Sequence, residues 1–182
     1  MNQPIQLSRL GASSASGFEA PFEMLEACHE RVQRMLRLLE RLRAHVAGHG
    51  ADEQARQAAR DVMRYFDLAA PQHHLDEERH VFPPLLAAGD AALAGVVRRL
   101  QQDHVQMEEG WARARAILAA LADGTLGSLD EAATGALTGF AALYADHIEA
   151  EEGLVYPAAR SRLQAQDLAA MSQDMMQRRG VR

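Results

Sequence analysis

An all-α fold, in the form of an up-down antiparallel four-helix bundle with a pseudo-twofold internal repeat and a further C-terminal helix, follows from three observations. The 182-residue chain is rich in Ala, Leu, Glu, Gln and Arg, all good helix formers, and only 5% of it is aromatic. Apolar residues recur at steps of three and four, and strand-like alternation is hard to find. One stretch occurs twice: His73 to Pro83 (HHLDEERHVFP) is echoed by His147 to Pro157 (HIEAEEGLVYP). In that alignment Glu77 meets Glu151, Glu78 meets Glu152, Val81 meets Val155, Phe82 meets Tyr156 and Pro83 meets Pro157. The repeat extends upstream, where His29 and His104 sit among apolar residues at matching offsets: Leu25 with Leu100, Val32 with Met107, Leu36 with Trp111. Neither half can bury its apolar stripe alone, so the two halves pack on each other.

The length suits one domain with a sizeable core, and the 48% hydrophobic share is ordinary for a soluble protein. With a net charge of -6 and interleaved signs there is no basic stripe for phosphates, which argues against a nucleic-acid partner. No apolar run is long enough to span a bilayer, so no membrane partner is expected. The N-terminus lacks the basic-then-apolar pattern of a secretion signal, and a single Cys permits no internal disulfide. Both point to a cytoplasmic setting.

Residues 1–18 read as a polar, small-residue arm, residues 19–160 as the bundle and residues 161–182 as a helical extension or tail. Helix one runs from about Ala20 to about Ala47, with Phe22, Leu25, His29, Val32, Leu36 and Leu39 on one stripe. Cys28 lies beside that stripe as a small packing residue. His45 and His49 fall at the helix end, where the dipole favours them.

Asp52 caps helix two, whose inward face carries Val62, Phe66, His73, Glu77 and Val81. Residues four apart share a helix face, so His73 with Glu77, and His147 with Glu151, each present an imidazole beside a carboxylate. Such pairs interrupting an apolar stripe need a partner, and a cation satisfies both groups together. His74 with Glu78 has the same spacing, but position 148, opposite His74, is Ile, so the repeat selects His73 and Glu77. Glu78 and Glu152 read as solvated surface, with support of the ligands as the alternative; His80, opposite Leu154, reads as peripheral. Pro83 and Pro84 kink or end the helix within about two turns of Glu77.

Gly89-Asp90 reads as the turn into helix three, with Leu93, Val97, Leu100, His104, Trp111 and Leu118 inward and Trp111 walling one side of the polar centre. At the next inward step the pattern leaves Met107 and Glu108 open; Glu108 either joins the metal ligands or is a polar residue at the bundle's edge. Ser128 with Glu131 forms a capping box for helix four, where Leu137, Phe140, Tyr144, His147, Glu151 and Val155 step inward. Tyr144 packs, or its hydroxyl serves a ligand carboxylate or a bound oxygen species. Beyond Arg160, Leu163, Leu168, Met171 and Met175 or Met176 form a stripe suited to packing on the bundle or on a second subunit as a homodimer, and the end at Gln177 to Gly180 reads as frayed.

The candidate metal ligands are therefore His29, His73, Glu77, His104, His147 and Glu151, with Glu108 as a seventh. Bridging by both carboxylates leaves each of two ions with two imidazoles and two carboxylate oxygens, short of an octahedral set. Four imidazoles favour iron, manganese or zinc over magnesium or calcium. This order of residues, with a Glu-Glu pair and Val-Phe-Pro or Val-Tyr-Pro following, resembles the hemerythrin-like, or HHE cation-binding, domain over about residues 20–160. The resemblance implies an up-down four-helix bundle holding two non-haem irons with an oxo or hydroxo bridge, another divalent metal being the alternative. Oxygen-carrying members of that family have a second His where this chain has Glu108, and close the fourth-helix motif with an Asp at a longer spacing than His147 to Glu151.

Two functions fit the resemblance. One is binding of oxygen or another small diatomic ligand such as nitric oxide for storage or sensing. The other is redox chemistry on peroxide or nitric oxide, or iron donation to iron-sulfur centres. A structural zinc site is a third and weaker fit, because open coordination positions do not suit it. No catalytic residue apart from the metal ligands is assigned.

Overall fold

The structure is a computed structural model that describes residues 17–181; most of the expected N-terminal arm lies outside the described residues. No strand occurs among them, and no helix there is long and apolar enough to cross a membrane.

Helix α1 (Pro21–His49) begins with Pro21, whose fixed φ and missing N–H are harmless in a first turn. Helix α2 (Glu53–Asp76) starts at Asp52, whose carboxylate accepts the Ala55 N–H at 2.9 Å. It runs directly into a π-helical turn, Glu77–Val81, and then α3 (Phe82–Leu86). Gly89, at φ 78°, turns the chain into α4 (Ala91–Asp123), where Asp90 accepts the N–H groups of Ala92 and Leu93 at 3.0 Å. Helix α5 (Glu131–Ala142) is capped by Asp130, which accepts the Ala133 N–H at 2.7 Å; the box expected from Ser128 is not the one used. What was expected as a single fourth helix is interrupted at Leu143 and Tyr144, resumes as α6 (Ala145–Ala150), passes through a second π-helical turn, Glu151–Val155, and ends as α7 (Tyr156–Arg160). Helix α8 (Ala165–Arg178) follows, with a capping box between Gln164 and Asp167.

The π-helical turns answer the prolines. In a continuous α-helix the Pro83 ring would meet the carbonyl of residue 79 and lack its hydrogen bond. Instead the Phe82 N–H reaches back five residues to the Glu77 carbonyl, and Pro83 falls in the first turn of α3, where no donor is needed. Tyr156 and Glu151 repeat the arrangement ahead of Pro157. The prolines therefore neither stop nor break the helix at once; they set a wide turn that begins at each of the two inward glutamates.

Helix α1 packs on α2, α2 on α4, α4 on α5, and α5 returns to α1. Two apolar clusters fill the interior. One holds Val32, Leu39, Leu42, Val62, Phe66, Met107, Leu118, Leu137 and Phe140. The other holds Phe22, Leu25, Val81, Phe82, Leu85, Val97, Leu100, Val155 and Tyr156, and Met171 and Met175 of α8 complete it. On every helix of the repeat the sequence passes from one cluster to the other through a buried polar position: His29, His73 with Glu77, His104, and His147 with Glu151. A polar layer thus lies between two layers from which water is excluded.

The C-terminal residues expected to fray are held. Arg178 and Arg179 both bond the carboxylate of Asp76, which is 0% exposed, with Arg179 Nη2 at 2.6 Å from Oδ2. Arg178 also donates to Gln72 Oε1 at 2.7 Å, and His80, expected to be peripheral, meets Asp174 of α8 at 2.8 Å.

Candidate metal centre

All six inward residues are between 0 and 6% exposed. They meet crosswise, each half completing the other. His29 Nε2 lies 3.1 Å from Glu151 Oε2, and His104 Nε2 lies 3.4 Å from Glu77 Oε2. Within each half, His73 Nε2 is 3.4 Å from Glu77 Oε1 and His147 Nε2 is 3.0 Å from Glu151 Oε1. His29 and His73 bring their Nε2 atoms to 3.0 Å. Two sets of donor atoms result, one from His29, His73, Glu77 and Glu151 and one from His104, His147 and Glu151, the atoms of each set lying within 4.8 Å of one another.

These close approaches leave a deficit. Glu77 Oε2, both oxygens of Glu151, and the Nε2 atoms of His104 and His147 are buried without a directed hydrogen bond. A buried polar atom without a partner costs about 1–3 kcal/mol, so five converging on one volume describe a space shaped for a cation. Imidazole nitrogens with carboxylate oxygens suit iron, manganese or zinc.

The charge state of the metal-free protein agrees. Burial, and then the charge of Glu151, push Glu77 up to about 7. Burial opposes ionisation of Glu151 too, but the facing imidazoles of His147 and His29 outweigh it and hold Glu151 well below the ordinary range. Burial disfavours a proton on His29, yet Glu151, Glu77 and Glu152 raise it to about 9, while burial and the adjacent His29 hold His73 well below its usual value. A cation entering the cluster displaces protons from Glu77 and His29.

Three of the four outward nitrogens meet carboxylates, those of the two lone histidines crosswise, while His73 Nδ1 is buried without a partner. His29 Nδ1 meets Glu152 at 2.8 Å and His104 Nδ1 meets Glu78 at 3.1 Å, while His147 Nδ1 lies 3.4 Å from Asp103. Glu78 and Glu152, read from the sequence as solvated surface, therefore hold the two lone histidines in place. Their recurrence in the repeat was the available signal. Replacing either by Ala is expected to weaken metal binding about 10–100-fold with helix content unchanged, as read by competition against a chromophoric chelator alongside circular dichroism.

Some of the other expectations need correction and others stand. Glu108 is exposed and outside the cluster. At about 100° per residue the buried face of α4, through Leu100, His104, Met107, Ala114 and Leu118, turns toward Met107 and leaves Glu108 on the outer side. Tyr144 packs against Phe66 and Phe140 in the apolar cluster, and the tyrosine that reaches a cluster carboxylate is Tyr156, whose O–H donates to Glu77 Oε1 at 2.5 Å. Trp111 also packs on Phe66 and Phe140 and donates its indole N–H to Asp67 at 3.0 Å; the rings flanking the imidazoles are Tyr156 on His29 and Phe82 on His104. His74 stacks on His104 with centroids 4.0 Å apart and contributes to neither donor set. His45 binds the capping Asp52 at 3.0 Å, and Cys28 is buried with its thiol pushed up by that burial.

The chain is similar to known proteins. Over 162 residues the chain is 31% identical to an uncharacterized protein of Haemophilus influenzae, an alignment that covers 89% of this chain and 91% of that one. Residues 20–159 match the family described as hemerythrin HHE cation binding domain. That span takes in both inward His-x-x-x-Glu pairs and both lone histidines, and the chain belongs to the hemerythrin HHE cation-binding domain family.

Proposed function

We propose that the buried layer holds two iron ions and that the protein binds oxygen or another small diatomic ligand, such as nitric oxide, for storage or sensing. One observation carries the reading: four imidazoles and two carboxylates converge in a layer sealed by apolar clusters on both sides, with donor atoms left unpartnered. His29, His73 and Glu77 would hold one ion and His104 and His147 the other, with Glu151 facing both. Bound iron supplies reversible redox and ligand affinity. The protein contributes imidazoles, three of them facing outer carboxylates, and a dry surround in which a small apolar gas is at home. The ring of contacts among α1, α2, α4 and α5 supports an up-down four-helix arrangement.

A second reading, a redox protein acting on peroxide or nitric oxide or donating iron to iron-sulfur centres, draws on the Tyr156 phenol, an oxidisable O–H beside Glu77 and 3.3 Å from His29 Nε2.

Anaerobic iron loading followed by oxygen exposure separates the two, with metal counted per chain and the visible spectrum followed through a reduction cycle. Two irons and a spectrum that reverses on removing the gas are the expected result. A single irreversible oxidation moves the assignment to the redox reading, and an iron-loaded reduced sample that responds to neither oxygen nor nitric oxide overturns the ligand-binding one.

A further inference from the structure

Around the inward glutamates and the lone histidines the two halves correspond except at the flanking ring; farther out they also differ, His147 Nδ1 facing Asp103 at 3.4 Å where His73 Nδ1 is buried without a partner. Tyr156 lies nearly parallel to His29, with centroids 5.6 Å apart and planes at 8°; Phe82 takes the matching position on His104 at 5.6 Å and 22°. Both rings are 0% exposed, and each follows the π-helical turn of its own half. Only one has a hydroxyl. It donates to Glu77 Oε1 at 2.5 Å, on the side of that carboxylate that faces His73, and it lies 3.3 Å from His29 Nε2. Both oxygens of Glu151 face imidazoles, Oε1 at 3.0 Å from His147 Nε2 and Oε2 at 3.1 Å from His29 Nε2, whereas Glu77 Oε1 accepts a phenol proton besides facing His73.

We propose that Tyr156 is a positioning residue that makes the two metal positions unequal, so that the position lined by His29 and His73 takes up a divalent cation before the position lined by His104 and His147. This rests on the metal centre proposed above and adds an order of filling to it. The direction follows from two facts about carboxylates. Each oxygen offers two lone pairs, so Glu77 Oε1 accepts the phenol proton and still has one left for a cation. A ligand already held in orientation by a buried hydrogen bond loses less freedom on binding, and partners of this kind are worth about 10–100-fold in metal affinity. Glu151 has no such support from Phe82.

Cobalt(II) titration tests the proposal without any assay of activity. His147→Ala leaves the His29/His73 position and His73→Ala leaves the His104/His147 position. In the His147→Ala protein, Tyr156→Phe is expected to weaken cobalt binding about 10–100-fold; in the His73→Ala protein it is expected to change nothing. Phe82→Tyr supplies the missing hydroxyl to the other half and is expected to tighten binding in the His73→Ala protein. That variant, measured on the otherwise unchanged chain as well, is the independent probe should Tyr156→Phe lose helix content: the two binding steps are expected to draw together. Equal weakening at both positions by Tyr156→Phe, no weakening at either, or a gap between the steps that Phe82→Tyr leaves unchanged overturns the role of the phenol while the metal centre stands. Failure of the unmodified protein to bind cobalt, zinc or iron overturns both.

Discussion

Saturating the metal-free protein with iron(II) or zinc is expected to raise its melting temperature by roughly 10–20 °C, and a chelator is expected to reverse the shift. Binding to the native state alone at one hundred times the dissociation constant stabilises by about 2.7 kcal/mol per site, and each kcal/mol is worth about 2–4 °C in a chain of this size. Without a cation the protein buries His, Glu and unpartnered donor atoms in one layer, and mutual proton sharing relieves this only in part. Glu151 belongs to both donor sets, whereas His73 belongs to one. Glu151→Gln is accordingly expected to abolish the metal-dependent shift and His73→Ala to remove about half of it. Differential scanning calorimetry on metal-free and loaded samples reads both, and a shift that survives Glu151→Gln places the cation elsewhere.

Removing both arginines that clamp Asp76, as Arg178→Ala with Arg179→Ala, is expected to destabilise the protein by about 3–5 kcal/mol in urea unfolding. Asp76 is 0% exposed, so the double variant strands an unpaired charge in the interior. It also releases the last turn of α8, whose Met171 and Met175 close the apolar cluster beside the two π-helical turns. Asp174 provides the contrast: it is 26% exposed and pairs with His80, Arg79 and Arg178 at the surface, and Asp174→Ala is expected to cost only about 1 kcal/mol or less. Adding Asp76→Asn to the double arginine variant is expected to recover part of the loss, since the stranded charge is then gone. An equal, small cost for the double arginine variant and for Asp174→Ala would show that the C-terminal helix is a loose appendage.

Much of the architecture can be read in the chain because an α-helix has a period. Steps of three and four put His29 on the same stripe as Leu25 and Val32, and His104 on the same stripe as Leu100, and those histidines are buried between the clusters those leucines and valines build. The duplicated His-x-x-x-Glu stretch places its glutamates inward by the same rule, and Asp52 and Asp90 announce helix starts because their carboxylates cap the free N–H groups that follow. These are properties of one helix at a time.

What one helix meets across the interior is another matter. Glu152 and Glu78 are each one residue past an inward glutamate, and their spacing says only that they turn aside; that they turn toward His29 and His104 of the opposite half depends on how the halves cross. The same holds for Tyr156 and Tyr144. Both are aromatic residues near His147, and only the packing sends one hydroxyl to Glu77 and the other ring into the Phe66 and Phe140 cluster. Glu108 sits at a plausible spacing from His104 but on the far side of a buried face that leans toward Met107. Periodicity therefore assigned the inward positions from local backbone geometry, whereas the partners of those positions, the asymmetry at Tyr156 and the clamp on Asp76 arise from contacts between residues as many as 127 positions apart, which a periodic pattern does not encode.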